Sequence, residues 1–374
     1  GVSPEAQITN RCHLLPVLKL IYRSPRADVP DFASRTPADG SLAMKVSTLS
    51  ELASLAGVSV GTVSKALSDR GYVSATTRAR IRKIADEHGF QINRTAQSLK
   101  RGRNDAIAVV LPLGHESAQT FSDPFFITLI GHLADALSAR GKELVLSKVV
   151  PDGQGWLANV SRSGRVDGII VIGQSNQEDE LERVADLYAP LVVWGQYRDG
   201  QRYCSVGTDN RAGGRMAAQR LIATGRRRLA FVGMTDIPEI AERHAGFVDA
   251  CSEADVPADL HLEAHLTADA AYRTVADALD AGLDTDGLVA ASDVIAMSAM
   301  RALSERGLSV PSAVAVVGYD DVNLAAFTTP PLTTIRQELD AAAMHLVDLL
   351  FRRIDGEETA SISMPPRLMV RGSA

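Results

Sequence analysis

The sequence predicts a small all-α head followed by a larger α/β core built on parallel sheets. Three observations lead there. Residues 48–68 read as two short amphipathic helices joined by a glycine turn. The charge balance changes sign after residue 103. From Asp105 onward, apolar runs of strand length alternate with helical stretches, the pattern of parallel strands covered on both faces.

The first 44 residues do not read as a domain. Pro4, Pro16, Pro25, Pro30 and Pro37 interrupt every candidate helix. The apolar patch from Leu14 to Ile21 contains Lys19 and is too short to span a bilayer or to serve well as a signal-peptide core. We expect residues 1–44 to be a disordered extension or the product of a mis-assigned start.

The head is expected over residues 45–92. Thr48 and Glu51 have the spacing of a capping box, and Leu49, Leu52, Ala53 and Ala56 make one apolar face. Gly57 suits the left-handed residue that ends a helix, and Ser59 suits the N-cap of a second helix running to about Leu67. On that helix Val63, Ala66 and Leu67 face inward and leave Val60, Gly61, Ser64 and Lys65 outward. A polar, exposed second helix after a tight turn is the arrangement that enters a DNA major groove. Ser74 caps a third helix from Ala75 to about His88, with Ile81, Ile84 and Ala85 inside and four basic residues from Arg78 to Lys83. Residues 93–103 follow as a basic hinge, too short for a free helix in water.

Residues 45–103 carry 11 Lys/Arg against 4 Asp/Glu, a balance of +7, whereas residues 104–374 carry 23 against 37, or −14. A basic head on an acidic body is the electrostatic footprint of a DNA-binder with a separate sensing domain. The total of −6 hides it.

These words resemble the lactose repressor/galactose repressor (LacI/GalR) family of transcriptional regulators. The resemblance rests on Ala53-x-x-Ala56-Gly57-Val58-Ser59-x-x-Thr62-Val63-Ser64-x-x-Leu67, on Val73-Ser74-x-x-Thr77-Arg78, and on Asn93-x-x-Ala96-x-x-Leu99. Ser68 stands where the family usually has Asn, a change expected to alter a cap. The resemblance implies a helix-turn-helix head, a hinge helix, and a two-subdomain periplasmic-binding-protein-like core over 104–374. By position, about 105–206 plus 338–365 form the subdomain near DNA and about 207–335 the distal one, with three chain crossings and a ligand cleft between. Its partners would be double-stranded operator DNA, a small-molecule effector of sugar type and a second copy of the chain, with no cofactor, metal or membrane. The DNA-binding positions it implies are Thr48, Ser59, Val60, Gly61, Thr62, Ser64 and Lys65 in the head and Asn93, Arg94, Ala96, Leu99 and Lys100 in the hinge. Val60, Gly61 and Lys65 would make or permit base-edge contacts, Thr62 and Ser64 would position phosphates, and Leu99 would wedge into the minor groove.

Ligands of open α/β sheets sit beyond the C-terminal strand ends. Searching those loops along the resemblance gives Asp123, Phe125, Phe126, Trp194, Gln196, Arg243, Ser292, Asp293, Asp320 and Gln337. An arginine fork, carboxylates and an aromatic platform suit a sugar, with polar edges and apolar faces. Phe125 and Phe126 are equally well read as core. Gly195 stands where a pocket aspartate is common, and Leu266 where an aromatic usually closes the pocket. A nucleobase would want that aromatic, so a mono- or disaccharide inducer is expected. A nucleobase or phosphorylated metabolite, acting as inducer or corepressor, is the alternative.

Two other classes fit less well. A periplasmic sugar-binding protein would carry a secretion signal and no head. An enzyme would need chemistry for which the chain offers no Gly-x-Ser-x-Gly elbow, phosphate loop or Gly-x-Gly-x-x-Gly. Cys12, Cys204 and Cys251 form no metal or disulfide pattern, so a reducing cytoplasm is expected. His261 and His265 are expected as surface histidines on one helix face. No leucine heptads follow Val370, so a dimer is expected rather than a tetramer built on such a tail.

Overall fold

The capping box at Thr48 forms as its spacing predicts. Glu51 N–H donates to Thr48 Oγ1 at 3.2 Å, and Thr48 N–H to Glu51 Oε2 at 3.3 Å. It starts α1 (Leu49–Ala56), which Gly57 ends in the left-handed conformation at φ 62°. Ser59 Oγ accepts from Thr62 N–H at 3.2 Å and opens α2 (Val60–Leu67), and Ser74 caps α3 (Ala75–Glu87) in the same way. Leu52, Ala53, Ala56, Val63, Ala66, Ile81 and Ala85 make the shared core, with Leu49, Leu67 and Ile84 half-buried against it. Arg80 donates to the Ala56 carbonyl at 3.0 Å, tying α3 to the C-terminal end of α1. Ser68 Oγ caps α2 by donating to Ser64 O at 2.6 Å.

This computed structural model describes residues 46–68, 71–90, 104–113, 120–151 and 155–374, in two compact units that divide between Ile92 and Asn93. The extension and the hinge positions Asn93, Arg94, Ala96, Leu99 and Lys100 lie outside the described residues.

The second unit contains two lobes. The first lobe is a six-stranded sheet in the order β11-β5-β4-β3-β1-β2, parallel throughout. Its strands are β1 (Ala106–Pro112), β2 (Glu143–Val149), β3 (Gly168–Ile172), β4 (Leu191–Trp194), β5 (Cys204–Thr208) and β11 (Ile362–Met364). β1 shows why such a strand is apolar from end to end. Ile107, Val109 and Leu111 pack on one face against α4 (Pro124–Ser138) and α11 (Leu339–Ile354). Ala108 and Val110 pack on the other against α5 (Trp156–Arg162) and α6 (Glu178–Ala185). Each fully buried branched side chain contributes roughly 1.5–3 kcal/mol.

The second lobe repeats the plan in the order β12-β10-β9-β8-β6-β7, with only the β10–β12 pair antiparallel. It comprises β6 (Leu229–Val232), β7 (Leu260–Leu262), β8 (Gly287–Ala290), β9 (Ala315–Asp320), β10 (Thr333–Arg336) and β12 (Arg367–Met369). The covering helices are α7 (Asn210–Ala223), α8 (Pro238–Glu253), α9 (Ala268–Asp280) and α10 (Asp293–Glu305). The described chain passes between the lobes after β5, after β10 and after β11, so β12 and the C-terminal residues return to the second sheet.

α7 and α8 cross unusually closely. A Cβ on Gly214 would lie 1.8 Å from the Arg243 carbonyl oxygen, and one on Gly246 would lie 1.9 Å from that of Arg211. The missing side chains let the two backbones touch, which sets the position of Arg243.

Candidate functional site

The strands of both lobes end at one cleft. β1 delivers Pro112 and Leu113, β3 delivers Ile172 to Ser175, and β4 ends on Trp194. From the second lobe come Ile237, Glu239, Ile240 and Arg243 around the first turns of α8, Leu266 after β7, Ser292 after β8 and Asp320 at the end of β9. Asp123, Phe125 and Phe126 at the start of α4 complete a mostly apolar cavity of about 700 Å³, its open mouth included.

Arg243 is the most constrained polar group there. Its Nε donates to Asn210 Oδ1 at 2.9 Å and its Nη1 to the Ala291 carbonyl at 2.6 Å. The guanidinium lies 3.7 Å above the centre of the Tyr319 ring, and Asp320 Oδ1 is 3.9 Å from Nη1. Gly213 leaves room for that ring, since a Cβ would come within 2.3 Å of the Tyr319 hydroxyl. Asn210 also donates to Gln196 Oε1 at 2.9 Å, so one hydrogen-bond chain links Arg243 to the first lobe.

Asp320 has φ 114° and Asp321 has φ 55°, both in the region that L-residues avoid. The turn is held from outside. Arg336 and Arg371 each reach Asp321 at 2.6 Å, and Asp293 Oδ2 accepts from Val322 N–H at 2.8 Å. Backbone strain kept in place by surrounding bonds is a mark of a functional turn.

Burial pushes the Asp320 carboxyl up to about 7; Arg243 opposes the rise and Asp123, across the cleft, adds to it. A carboxyl raised in the fold stabilises it fully below the unfolded pKa and loses that contribution as pH climbs through the folded value. Asp320→Asn is therefore expected to match the wild type near pH 4 and to be the more stable by roughly 1–3 kcal/mol above pH 7. Urea unfolding across that range checks it. A stability difference that does not change with pH would show that Asp320 titrates normally.

Of the ten expected cleft residues, Asp123, Phe125, Phe126, Trp194, Arg243, Ser292 and Asp320 line the cavity. Three do not. Asp293 is fully buried behind it, accepting from Thr334 Oγ1 at 2.5 Å, because its helix starts one residue after the lining Ser292. Gln337 stands behind Asp320 and donates to Oδ1 at 2.8 Å. Gln196 is turned onto Asn210 and its own neighbour's carbonyl. All three support the site without lining it. Phe125 and Phe126 serve both expected roles, lining the cavity and packing with the first lobe's core, and Phe125 sits 6.2 Å from Trp194.

The sequence reading missed Glu239 and Gln174. Gln174 fills the space beside Gly195, where a Cβ would meet it at 2.7 Å. It donates to Gln196 O at 2.7 Å and Tyr203 Oη at 2.6 Å and accepts from Gln196 N–H at 3.0 Å. The space that a side chain at position 195 would take is thus filled by an amide from the neighbouring strand's loop. Leu266 lines the cavity, as its position implied. The histidine expectation holds in part: His265 is exposed, on a loop and not on a helix. His261 lies on strand β7, half-buried, stacked on His244 at 4.7 Å and bonded to the Gly233 carbonyl at 2.7 Å.

On the head, Val60, Gly61 and Lys65 are exposed on one side of α2, with Thr62 and Ser64 half-exposed beside them and Ser59 and Thr48 at the helix starts. Tyr72 is 95% exposed next to Gly71, which packs against the Lys65 methylenes. No sequence pattern singled that tyrosine out. A side chain at position 61 would meet only Ser59 Oγ, 3.8 Å away. Gly61→Ala is expected to stabilise the head by about 0.5–1 kcal/mol, because alanine loses less backbone freedom in a helix. A lower melting temperature would rule out the open surroundings described for Gly61.

The sequence comparisons agree with this architecture. Residues 48–93 match the model described as "Bacterial regulatory proteins, lacI family", and residues 218–374 match a "Periplasmic binding protein-like domain". The HTH-type transcriptional regulator CelR of Thermobifida fusca is 33% identical over 339 residues, covering 87% of this chain and 98% of that protein. AscG of Escherichia coli K12 is 28% identical, covering 83% and 93%. Among solved structures, a CelR–cellobiose complex superposes with a TM-score of 0.65 at 31% identity, covering 87% of this chain and 99% of that one. The lac repressor dimer bound to operator and the anti-inducer ONPF has a TM-score of 0.77 at 24% identity, covering 87% and 98%, which speaks for the fold. Helix-turn-helix head, two-lobed core and relatives over nearly the whole length agree: this chain belongs to the lacI family of bacterial transcriptional regulators.

Proposed function

We propose that this regulator represses transcription by binding a palindromic operator as a homodimer and is released by a neutral sugar bound in the cleft. The observation that carries the sugar reading is Arg243, held above the Tyr319 ring by hydrogen bonds to Asn210 and the Ala291 carbonyl and opposite the Phe125–Trp194 wall. A rigid guanidinium beside carboxyls grips hydroxyl edges, and aromatic rings take the apolar face of a pyranose. Cellobiose in the CelR complex and ribose in an Enterococcus faecium relative, 27% identical with a TM-score of 0.63 and covering 72% of this chain and 98% of that one, favour the same class.

In the head, Val60, Gly61 and Lys65 read base edges, and Thr48, Ser59, Thr62 and Ser64 position phosphates. In the hinge, Leu99 wedges between base steps, flanked by Asn93, Arg94, Ala96 and Lys100. Exposed apolar side chains support pairing of two copies. Ile127 on α4 and Val145 and Leu146 on edge strand β2 lie on the first lobe, and Leu324 and Phe327 on the second. Sugar closing the cleft shifts the lobes so that paired hinges no longer fit the operator. The coupling is reciprocal, so operator DNA weakens sugar binding by the same factor.

Fluorescence anisotropy on an inverted-repeat DNA from the protein's own upstream region, titrated with sugars, tests the scheme. Release by one sugar supports it. Tight binding that no sugar disturbs would leave a DNA-binder and remove the sugar.

A further inference from the structure

Glu239 sits in the first turn of α8, one helical turn before Arg243, and lines the cleft. An ion pair between residues four apart on a helix is the usual outcome, yet Arg243 is committed to Asn210, Ala291 and the Tyr319 ring. Among the described residues, Glu239 Oε1 accepts only a long bond, 3.4 Å, from Gln174 N–H across the cleft. Oε2 is shut off from solvent and has no hydrogen-bond partner among the described residues. Buried polar atoms are almost always satisfied, and leaving a carboxyl oxygen bare is costly. Glu239 itself lines the cavity, so a small turn of its carboxyl would present this acceptor to a bound ligand. Asp123 and Asp320 face the same space. Three carboxyls thus line one cavity with a single arginine whose Nε and Nη1 are already occupied.

We propose that Glu239 is a specificity-determining residue of this cleft. Its free Oε2 takes a hydroxyl of a neutral polyol, and with Asp123 and Asp320 it rejects the phosphorylated or carboxylated forms of the same ligand. The inference rests on the sugar reading above and adds the ligand's charge and the group that selects it. Burial also raises the Glu239 carboxyl, against the pull of Arg243 and Arg198, as an unpaired acid in a dry site requires. With Arg243 already engaged at Nε and Nη1, a phosphate ester would find little in the cavity to neutralise its charge.

The test is isothermal titration calorimetry on the full chain and on Glu239→Ala and Glu239→Gln. The probes are cellobiose, ribose, glucose and galactose, with ribose 5-phosphate and glucose 6-phosphate as anionic counterparts. We expect the wild type to bind one of the neutral sugars and neither phosphate. Glu239→Ala should bind that sugar about 10- to 100-fold more weakly, and Glu239→Gln should lose less, since its amide oxygen still accepts. Ligand-free melting temperatures of both variants should equal or exceed that of the wild type, because an unsatisfied carboxyl has been removed. Equal sugar affinity in wild type and both variants would overturn the role of Glu239 while leaving the sugar reading intact. Wild-type preference for a phosphate ester would overturn the charge selection. Wild type that takes none of the neutral sugars would remove the sugar reading and this inference together.

Discussion

Replacing Arg243 by alanine is expected to abolish the response to ligand and to weaken the second lobe. The guanidinium joins α8 to Asn210 at the start of α7 and to the carbonyl that follows β8, and it covers the Tyr319 ring. Truncation leaves Asp320 buried without its neighbouring positive charge and leaves Asn210 Oδ1 without a donor. Breaking a buried pair of this kind costs about 3–5 kcal/mol. Sugar affinity should fall by at least about 100-fold, as expected when hydrogen bonds to a charged group are lost. Trp194 lines the same cavity, so its fluorescence reads ligand entry directly. Arg243→Lys separates the two effects: it keeps the charge and part of the stability but loses the two-sided fork, so it should fold and still respond poorly. If Arg243→Lys titrates with sugar as the wild type does, the planar fork has no part in recognition.

Gly214→Ala is expected to be as damaging, although it touches no ligand. The new methyl group would lie 1.8 Å from the Arg243 carbonyl oxygen, inside backbone that has no rotamer to escape into. α7 and α8 must separate, and Arg243 moves with its helix. Overpacking in a tight core typically costs 1–3 kcal/mol or more, and here the obstacle is main chain on both sides, so we place the loss at roughly 3 kcal/mol or above. Thermal unfolding of the variant should show the loss, and sugar binding should weaken in the fraction that remains folded. Unchanged unfolding would mean that the close crossing is not needed to position Arg243.

These two positions differ in how visible they are before folding. Arg243 was identifiable because its family word, Ala241-Glu-Arg-His-Ala-Gly-Phe247, survives in the chain. Gly213 and Gly214 look like poor helix residues, and nothing local says that another backbone lies against them. The head was legible almost residue by residue, since capping boxes, a glycine C-cap and helical apolar spacing act over three or four residues. Short apolar strands such as β1 and β6 were legible for the same reason. β5, β7, β10, β11 and β12 were not, being three to five residues long and defined by the strands they pair with.

The cleft divides similarly. Asp293 and Gln337 carry the right chemistry on the right loops, but the turn of one helix and the register of one strand point them behind the cavity. Gln174 and Glu239 carry no motif and became visible only when two lobes brought β3 and α8 together. By itself, the sequence determined the head, the basic-to-acidic charge division and the parallel α/β plan, because those follow from local propensity, hydrophobic period and composition. Only the tertiary structure decided which side chains face the cavity, which carboxyls lose their water, and where two helices touch. Those are properties of distances between residues that the chain places far apart.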